Sequence, residues 1–196
     1  MKKLCTFILS LLCFTSLPVM AAEENSELGF WFEAGAASGK DHASWLTGYY
    51  DHSFTDSIGV YVIVDTESDR YREFYVGPKL KVNEWLEVGI AVGREVTRET
   101  PNSLRRNAFV LVETDKVSAY VTYENGGSRG TGPWHKAYAL YKVTDSVSAG
   151  VMNETLLGRG PRVAYMPAKN IEVWGALLHN SDTKETTTLL AVNFSF

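Results

Sequence analysis

Apolar residues recur at every second position through most of this chain, in stretches that begin just after a short polar turn. Thr55-Asp56-Ser57 precedes Ile58, Val60 and Val62, and Asn83-Glu84-Trp85 precedes Leu86, Val88, Ile90 and Val92. Thr114-Asp115-Lys116 precedes Val117, Ala119 and Val121, and Thr144-Asp145-Ser146 precedes Val147, Ala149 and Val151. A looser copy, Ala168-Lys169-Asn170, precedes Ile171 and Val173. A period of two is the strand period, because successive side chains point to opposite faces. The segments entering the turns alternate as well: Phe74, Val76, Pro78, Leu80 and Val82 share one face, and Glu73, Tyr75, Gly77, Lys79 and Lys81 share the other. Five hairpins with one strand before and one after predict twelve strands. Ten is the alternative, because residues 107–112 are apolar on both faces and residues 134–143 can be phased either way.

The connections alternate in kind. Between the tight turns lie longer, more polar segments at residues 39–42, 65–73, 94–107, 124–134, 153–162 and 179–185. Glycine and proline gather there, as in Asn125-Gly126-Gly127 and Gly130-Thr131-Gly132-Pro133. Short turns at one end and long loops at the other predict an all-β fold, an antiparallel up-and-down transmembrane β-barrel. A soluble barrel binder, with the apolar face buried and a ligand inside, is the structural rival. Three features favour the membrane. The polar face carries small residues (Gly89, Ala91, Gly93, Gly150), which suit a crowded lumen and leave space in it. Aromatics (Trp45, Tyr49, Tyr50, Phe54, Trp85, Tyr123, Trp134, Tyr141) fall near strand ends, where interfacial girdles belong. The third is an export signal.

That signal is read from residues 1–22: Lys2 and Lys3, an apolar run, then small residues at Ala21 and Ala22. Its removal leaves residues 23–196 as a single barrel domain. The full chain has 196 residues, 45% of them apolar, and a net charge of −4. Without residues 1–22 the charge becomes −6, and both cysteines are lost, so neither a disulfide nor thiol chemistry is expected. This composition excludes a disordered tail and a disulfide scaffold. The lack of basic excess argues against nucleic acid as a partner.

The final strand carries the strongest class signal. Thr188, Leu190, Val192, Phe194 and Phe196 alternate with Thr187, Leu189, Ala191, Asn193 and Ser195. This resembles the last strand of Gram-negative outer-membrane β-barrels. The resemblance implies a bacterial outer-membrane location and contact with outer-membrane lipid and lipopolysaccharide. It also implies that Leu190, Val192, Phe194 and Phe196 are read by the barrel-assembly machinery. Twelve strands also resemble the small monomeric porins that pass acidic sugars. Those have a lumen rich in Arg, from which this sequence departs, so their substrate is not carried over.

The inward phase collects Glu33, Asp65, Glu73, Tyr75, Lys79, Lys81, Glu87, Glu95, Tyr120, Glu124, Glu154, Arg162 and Glu172. Acids exceed bases, which predicts a narrow porin-like channel for ions or small polar solutes, biased towards cations. Against this stands a barrel without transport, in which the same charges pair and seal the lumen. A third reading is an outer-membrane lipid hydrolase. His179-Asn180-Ser181 at the end of the penultimate strand resembles the His-x-Ser placement of the lipid A 3-O-deacylase family, with Asp182 or Glu185 left to orient the base. That family's acid on the last strand has no counterpart here. His42, His52, His135 and His179 show no metal-site spacing, and no cofactor is implied. Residues 99–106 read as a mixed-charge loop, and Arg105 and Arg106 within it, with Arg98 just before it, could meet lipopolysaccharide phosphates.

Overall fold

The computed structural model describes residues 28–38, 43–68, 71–97, 101–126 and 133–196. The signal segment 1–22, His42, Arg98 and residues 127 and 130–132 lie outside them. Twelve strands follow one another: β1 (Leu28–Ser38), β2 (Ser44–Ser53), β3 (Ile58–Glu67), β4 (Arg72–Asn83), β5 (Leu86–Val96), β6 (Pro101–Glu113), β7 (Val117–Gly126), β8 (Trp134–Lys142), β9 (Val147–Glu154), β10 (Gly158–Ala168), β11 (Ile171–His179) and β12 (Thr186–Ser195). Each pairs antiparallel with its neighbours in sequence, and β1 closes on β12 from Trp31–Ser195 to Ser38–Thr188. Closure leaves no unpaired edge, the condition a sheet must meet to cross a bilayer.

The repeated Thr-Asp-x turns have a physical cause. Thr55 Oγ1 accepts from the Ile58 amide at 2.9 Å, Thr114 Oγ1 from Val117 at 2.9 Å and Thr144 Oγ1 from Val147 at 3.0 Å. One hydroxyl in each turn satisfies the backbone that a tight reversal would orphan.

The opposite ends differ from expectation. Residues 94–107 are not a long loop: β5 runs on to Val96 and β6 begins at Pro101. The segment expected as a loop at 153–162 is a turn between Glu154 and Gly158, and β7 continues to Gly126. Polar composition suggested loops here, but in a barrel a strand keeps its hydrogen bonds to both neighbours whatever its side chains, so the ladder continues past the apolar zone.

Phe74, Val76, Ile90, Val92, Val110, Val121, Val151, Val163, Leu177 and Leu190 all lie exposed on the outer face. An apolar band around a whole barrel far exceeds the few hundred Å² that water-soluble surfaces tolerate. At roughly 25 cal/mol per Å² it is stable only against hydrocarbon. Apart from Ala34, which large neighbours cover on the outer face, the buried hydrophobic side chains of the described strands point inside. Leu140, Met152, Ala164, Trp174, Ala176, Leu178, Leu189 and Ala191 form one cluster, and Tyr61, Tyr75, Ala91 and Phe109 form another.

Candidate functional site

The lumen is the candidate site, and the strand register decides what enters it. Residues paired across an antiparallel ladder point to the same side. Glu33–Thr47, Thr47–Asp65, Asp65–Glu73 and Glu73–Glu95 are successive partners from β1 to β5, so one phase error would have expelled them all. Glu33, Glu73, Tyr75, Glu95, Glu124 and Arg162 are buried inside; Lys79, Glu87, Tyr120 and Glu172 are half-buried there. Lys81 keeps the inward phase, opposite Glu87, but is exposed beside the β4–β5 turn.

Three charged networks occupy the lumen. In the half nearer the loop ends, Arg105 reaches Glu95 at 2.5 Å, Glu124 at 2.6 Å and the Tyr75 hydroxyl at 2.9 Å. Its Nε lies 3.7 Å from Glu73, which also accepts from Tyr75 at 3.0 Å and from Tyr71. Asn107 extends this network, donating to Thr122 at 2.9 Å and accepting from Tyr61 at 3.0 Å. In the second network Glu33 accepts from the indoles of Trp45 (2.7 Å) and Trp174 (2.8 Å), with Lys136 Nζ at 3.5 Å. Beside it, the Arg162 guanidinium is held between Tyr138 (4.0 Å) and Trp174 (4.2 Å) and pairs with Glu172 at 3.4 Å. A guanidinium is weakly hydrated and planar, so ring faces stabilise it where water is scarce. Nearer the turns, Lys79 bridges Asp51 and Glu87, the latter at 3.1 Å.

Between the networks runs a chain of rings. Trp31 stacks on Tyr49 (5.6 Å), Tyr49 on Tyr61 (6.0 Å), and Tyr61 meets Phe109 edge-on (4.9 Å). Phe109 then stacks on Tyr120 (6.1 Å), which approaches Tyr138 (5.7 Å). Two corrections follow. Trp45, Tyr49 and Trp134 are not girdle residues; they sit on the inward phase, whereas Tyr50, Phe54, Trp85, Tyr123 and Tyr141 are exposed outside. The inward glycines do not leave empty space. A Cβ at Gly89 would lie 2.3 Å from the Phe109 ring, and one at Gly35 would lie 2.1 Å from the Trp45 ring. The backbone gives way so that the rings can lie flat across it.

Arg105 is the residue most clearly misread from sequence. It is no loop residue facing lipopolysaccharide but the buried centre of the lumen network, whereas Arg106, on the opposite phase, is exposed outside. Asp51, Asn107 and Lys136 were also missed as lumen residues. Continued alternation through Ser103, Arg105, Asn107, Phe109 and Leu111 was the available signal.

At the rim, His179 and Ser181 are not brought together. His179 Nδ1 faces Thr186 Oγ1 at 3.1 Å, and Ser181 Oγ lies 3.5 Å from Asp182. Asn180 between them is structural: its Nδ2 donates to the Leu156 carbonyl at 2.7 Å, and its Oδ1 accepts from the Asp182 amide at 2.9 Å. Glu185 is exposed, and its backbone amide donates to Thr183 Oγ1 at 3.4 Å. Among the described residues no cluster of His, Cys, Asp and Glu could hold a metal ion.

A closed barrel of twelve antiparallel strands, apolar outside and charged inside, defines a small outer-membrane β-barrel protein, and the bacterial outer membrane is where that surface belongs. The fold is that of the porins. It is similar to the KdgM porin in complex with disordered oligogalacturonate, with a TM-score of 0.60 and 16% identity over 85% of this chain and 99% of that one. It is similar to the NanC porin, with a TM-score of 0.53 and 10% identity over 84% of this chain and 98% of that one. No protein-family model and no curated protein sequence matches the chain.

Proposed function

We propose that this protein, exported through a cleaved signal peptide at residues 1–22, is a narrow porin-like channel for ions and small polar solutes. The observation that carries the proposal is the succession of charged side chains through the lumen. It runs from Lys79, Asp51 and Glu87 at the turn side, past Glu33, Lys136, Arg162 and Glu172, to Arg105, Glu73, Glu95 and Glu124. A barrel needing only to be filled would stay apolar, because each buried charge carries a desolvation cost. Glu87 and Glu172 near the turns and Lys136 in the loop-side half retain contact with water, at 19%, 27% and 20%, so solvent reaches the charged path from both halves. Acids exceed bases along the path, which favours cations and disfavours polyanionic sugars.

Planar-bilayer recording of the refolded protein tests this. The expected result is small, discrete conductance steps, with a reversal potential in a salt gradient that marks cation preference. Absence of steps overturns the reading. A sealed, non-conducting barrel is the second reading, favoured by Tyr61 and Tyr75 at 0% exposure and Trp174 at 1%.

A further inference from the structure

Between Arg72 and Val82 on β4, Val88 and Val96 on β5, and Leu104 and Val112 on β6, the outer face is apolar except at three positions: Arg72, Arg94 and Arg106. All three are exposed, and none has an ion-pair partner among the described residues. No carboxylate shares that outward phase on these strands. Register brings the three together. Arg94 lies opposite Phe74 on β4, two residues from Arg72, and opposite Leu104 on β6, two residues from Arg106. Diagonal neighbours of this kind are roughly 7–8 Å apart, within reach of long side chains.

The diagonal also sets their height. Following direct pairs from Glu33 through Thr47, Asp65, Glu73 and Glu95 to Ser103 climbs steadily towards the loop ends of the strands. Stepping back two residues at each strand, as Arg72, Arg94 and Arg106 do, offsets that climb and holds the row near one level. Tyr123 on β7, two residues back from Asn125, the partner of Arg106, continues the row as an exposed aromatic. Below the arginines the surface is grooved. One groove of about 550 Å³ is lined by Arg72, Arg94, Phe74, Val64, Val96 and Thr66, and is bordered by Asp65 and Glu73, whose phase is inward. A second, of about 460 Å³, is lined by Arg106, Tyr123, Val76, Ile90 and Val92.

The geometry points to a binding site on this face for a phosphate-bearing glycolipid of the outer leaflet, the headgroup phosphates on Arg72, Arg94 and Arg106 and the acyl chains in the apolar grooves beneath. Loop ends of outer-membrane barrels face outwards, which sets the row at the headgroup level of that leaflet. Three exposed guanidiniums without an ion-pair partner among the described residues, set in a lipid-facing band, suit an anion, and a fork of N–H donors matches phosphate oxygens. The inference rests on the membrane placement and not on conduction, so the lipid assay and the bilayer recording can fail independently.

The test is binding of bisphosphorylated lipid A to the refolded full-length protein in detergent micelles, read by native mass spectrometry. The triple variant Arg72→Gln/Arg94→Gln/Arg106→Gln is expected to bind about tenfold or more weakly, since it removes every charge-assisted contact. Arg159→Gln removes an exposed arginine on β10, away from the row, and should bind as the unaltered protein does. Fully dephosphorylated lipid A should bind the unaltered protein as weakly as the triple variant binds the phosphorylated form. Equal binding of the two lipids, or of the triple variant and the unaltered protein, overturns the proposal. So does full competition by millimolar inorganic phosphate, which would make the site one for free anion. If the triple variant does not regain heat-modifiable migration, Arg94→Gln alone and the dephosphorylated lipid carry the same decision.

Discussion

Arg105 is held by carboxylates from three strands, Glu73, Glu95 and Glu124, and is itself only 3% exposed. Such a group contributes to stability mainly through what its removal leaves behind. Arg105→Ala would strand three buried carboxylates, and breaking a buried pair from one side costs about 3–5 kcal/mol. Urea titration in micelles should show the loss, and Arg105→Lys should recover only part of it, because one ammonium cannot span the same fork. The acids of this network were legible from phase, since Glu73, Glu95 and Glu124 continue the polar face of the adjoining strands into segments whose composition reads as loop. Their arginine was not, because Arg105-Arg106 interrupts the hydrophobic signal and invites a loop reading. Gly89 carries the converse lesson. Its lack of a side chain suggested free volume, but the rings of Phe109 and Tyr61 fill that volume. Gly89→Val should therefore destabilise by overpacking, at roughly 1–3 kcal/mol, measurable in the same titration.

At the scale of the strand, alternation determined phase well and length poorly. Turn chemistry placed the Thr55, Thr114 and Thr144 reversals, because each hydroxyl caps its own turn. The other strand ends were hidden. Nothing local distinguishes a loop from a strand that leaves the apolar zone and goes on pairing, as β5 and β6 do. β12 was readable because its outward face is apolar to the end. Its closure on β1 is aromatic: Phe194 stacks on Phe32 at 4.8 Å, and Phe196 lies 6.1 Å from both Phe30 and Phe32. Aromatic pairs of this kind contribute about 0.5–1.5 kcal/mol each beyond burial. Phe196→Ala should therefore loosen the seam and weaken the proposed assembly signal together. In refolding assays the yield of the heat-modifiable form should fall. In cells the loss should be larger if the assembly machinery reads this residue, and equal losses in both settings would assign Phe196 to seam packing alone.

For the whole molecule, the decisive quantity is how completely the lumen is filled. Tyr61, Tyr75, Met152, Trp174 and Leu178 are among the largest side chains shielded from solvent on all sides, and they come from four different strands. Four of them converge because each faces a small or absent side chain across the ladder: Tyr61 opposes Gly77, Tyr75 opposes Gly93, Met152 opposes Gly160 and Trp174 opposes Ala191. Such pairing of large with small fills a barrel to interior density while keeping its circumference. Trp174 is the most exposing position to truncate, because its ring contacts both Glu33 and the Arg162 guanidinium. Trp174→Ala removes that ring, frees one carboxylate oxygen of Glu33 and uncovers one face of Arg162. Water should occupy the gap, since it would be polar and roomy. The conductance step should then rise by about twofold or more, because a narrow pore is limited by its tightest constriction. Cation preference should increase with it as Glu33 becomes accessible. An unchanged step in a folded Trp174→Ala barrel would place the limiting constriction elsewhere, at the Arg105 network. Steps that appear only in the variant would show that the native barrel is sealed.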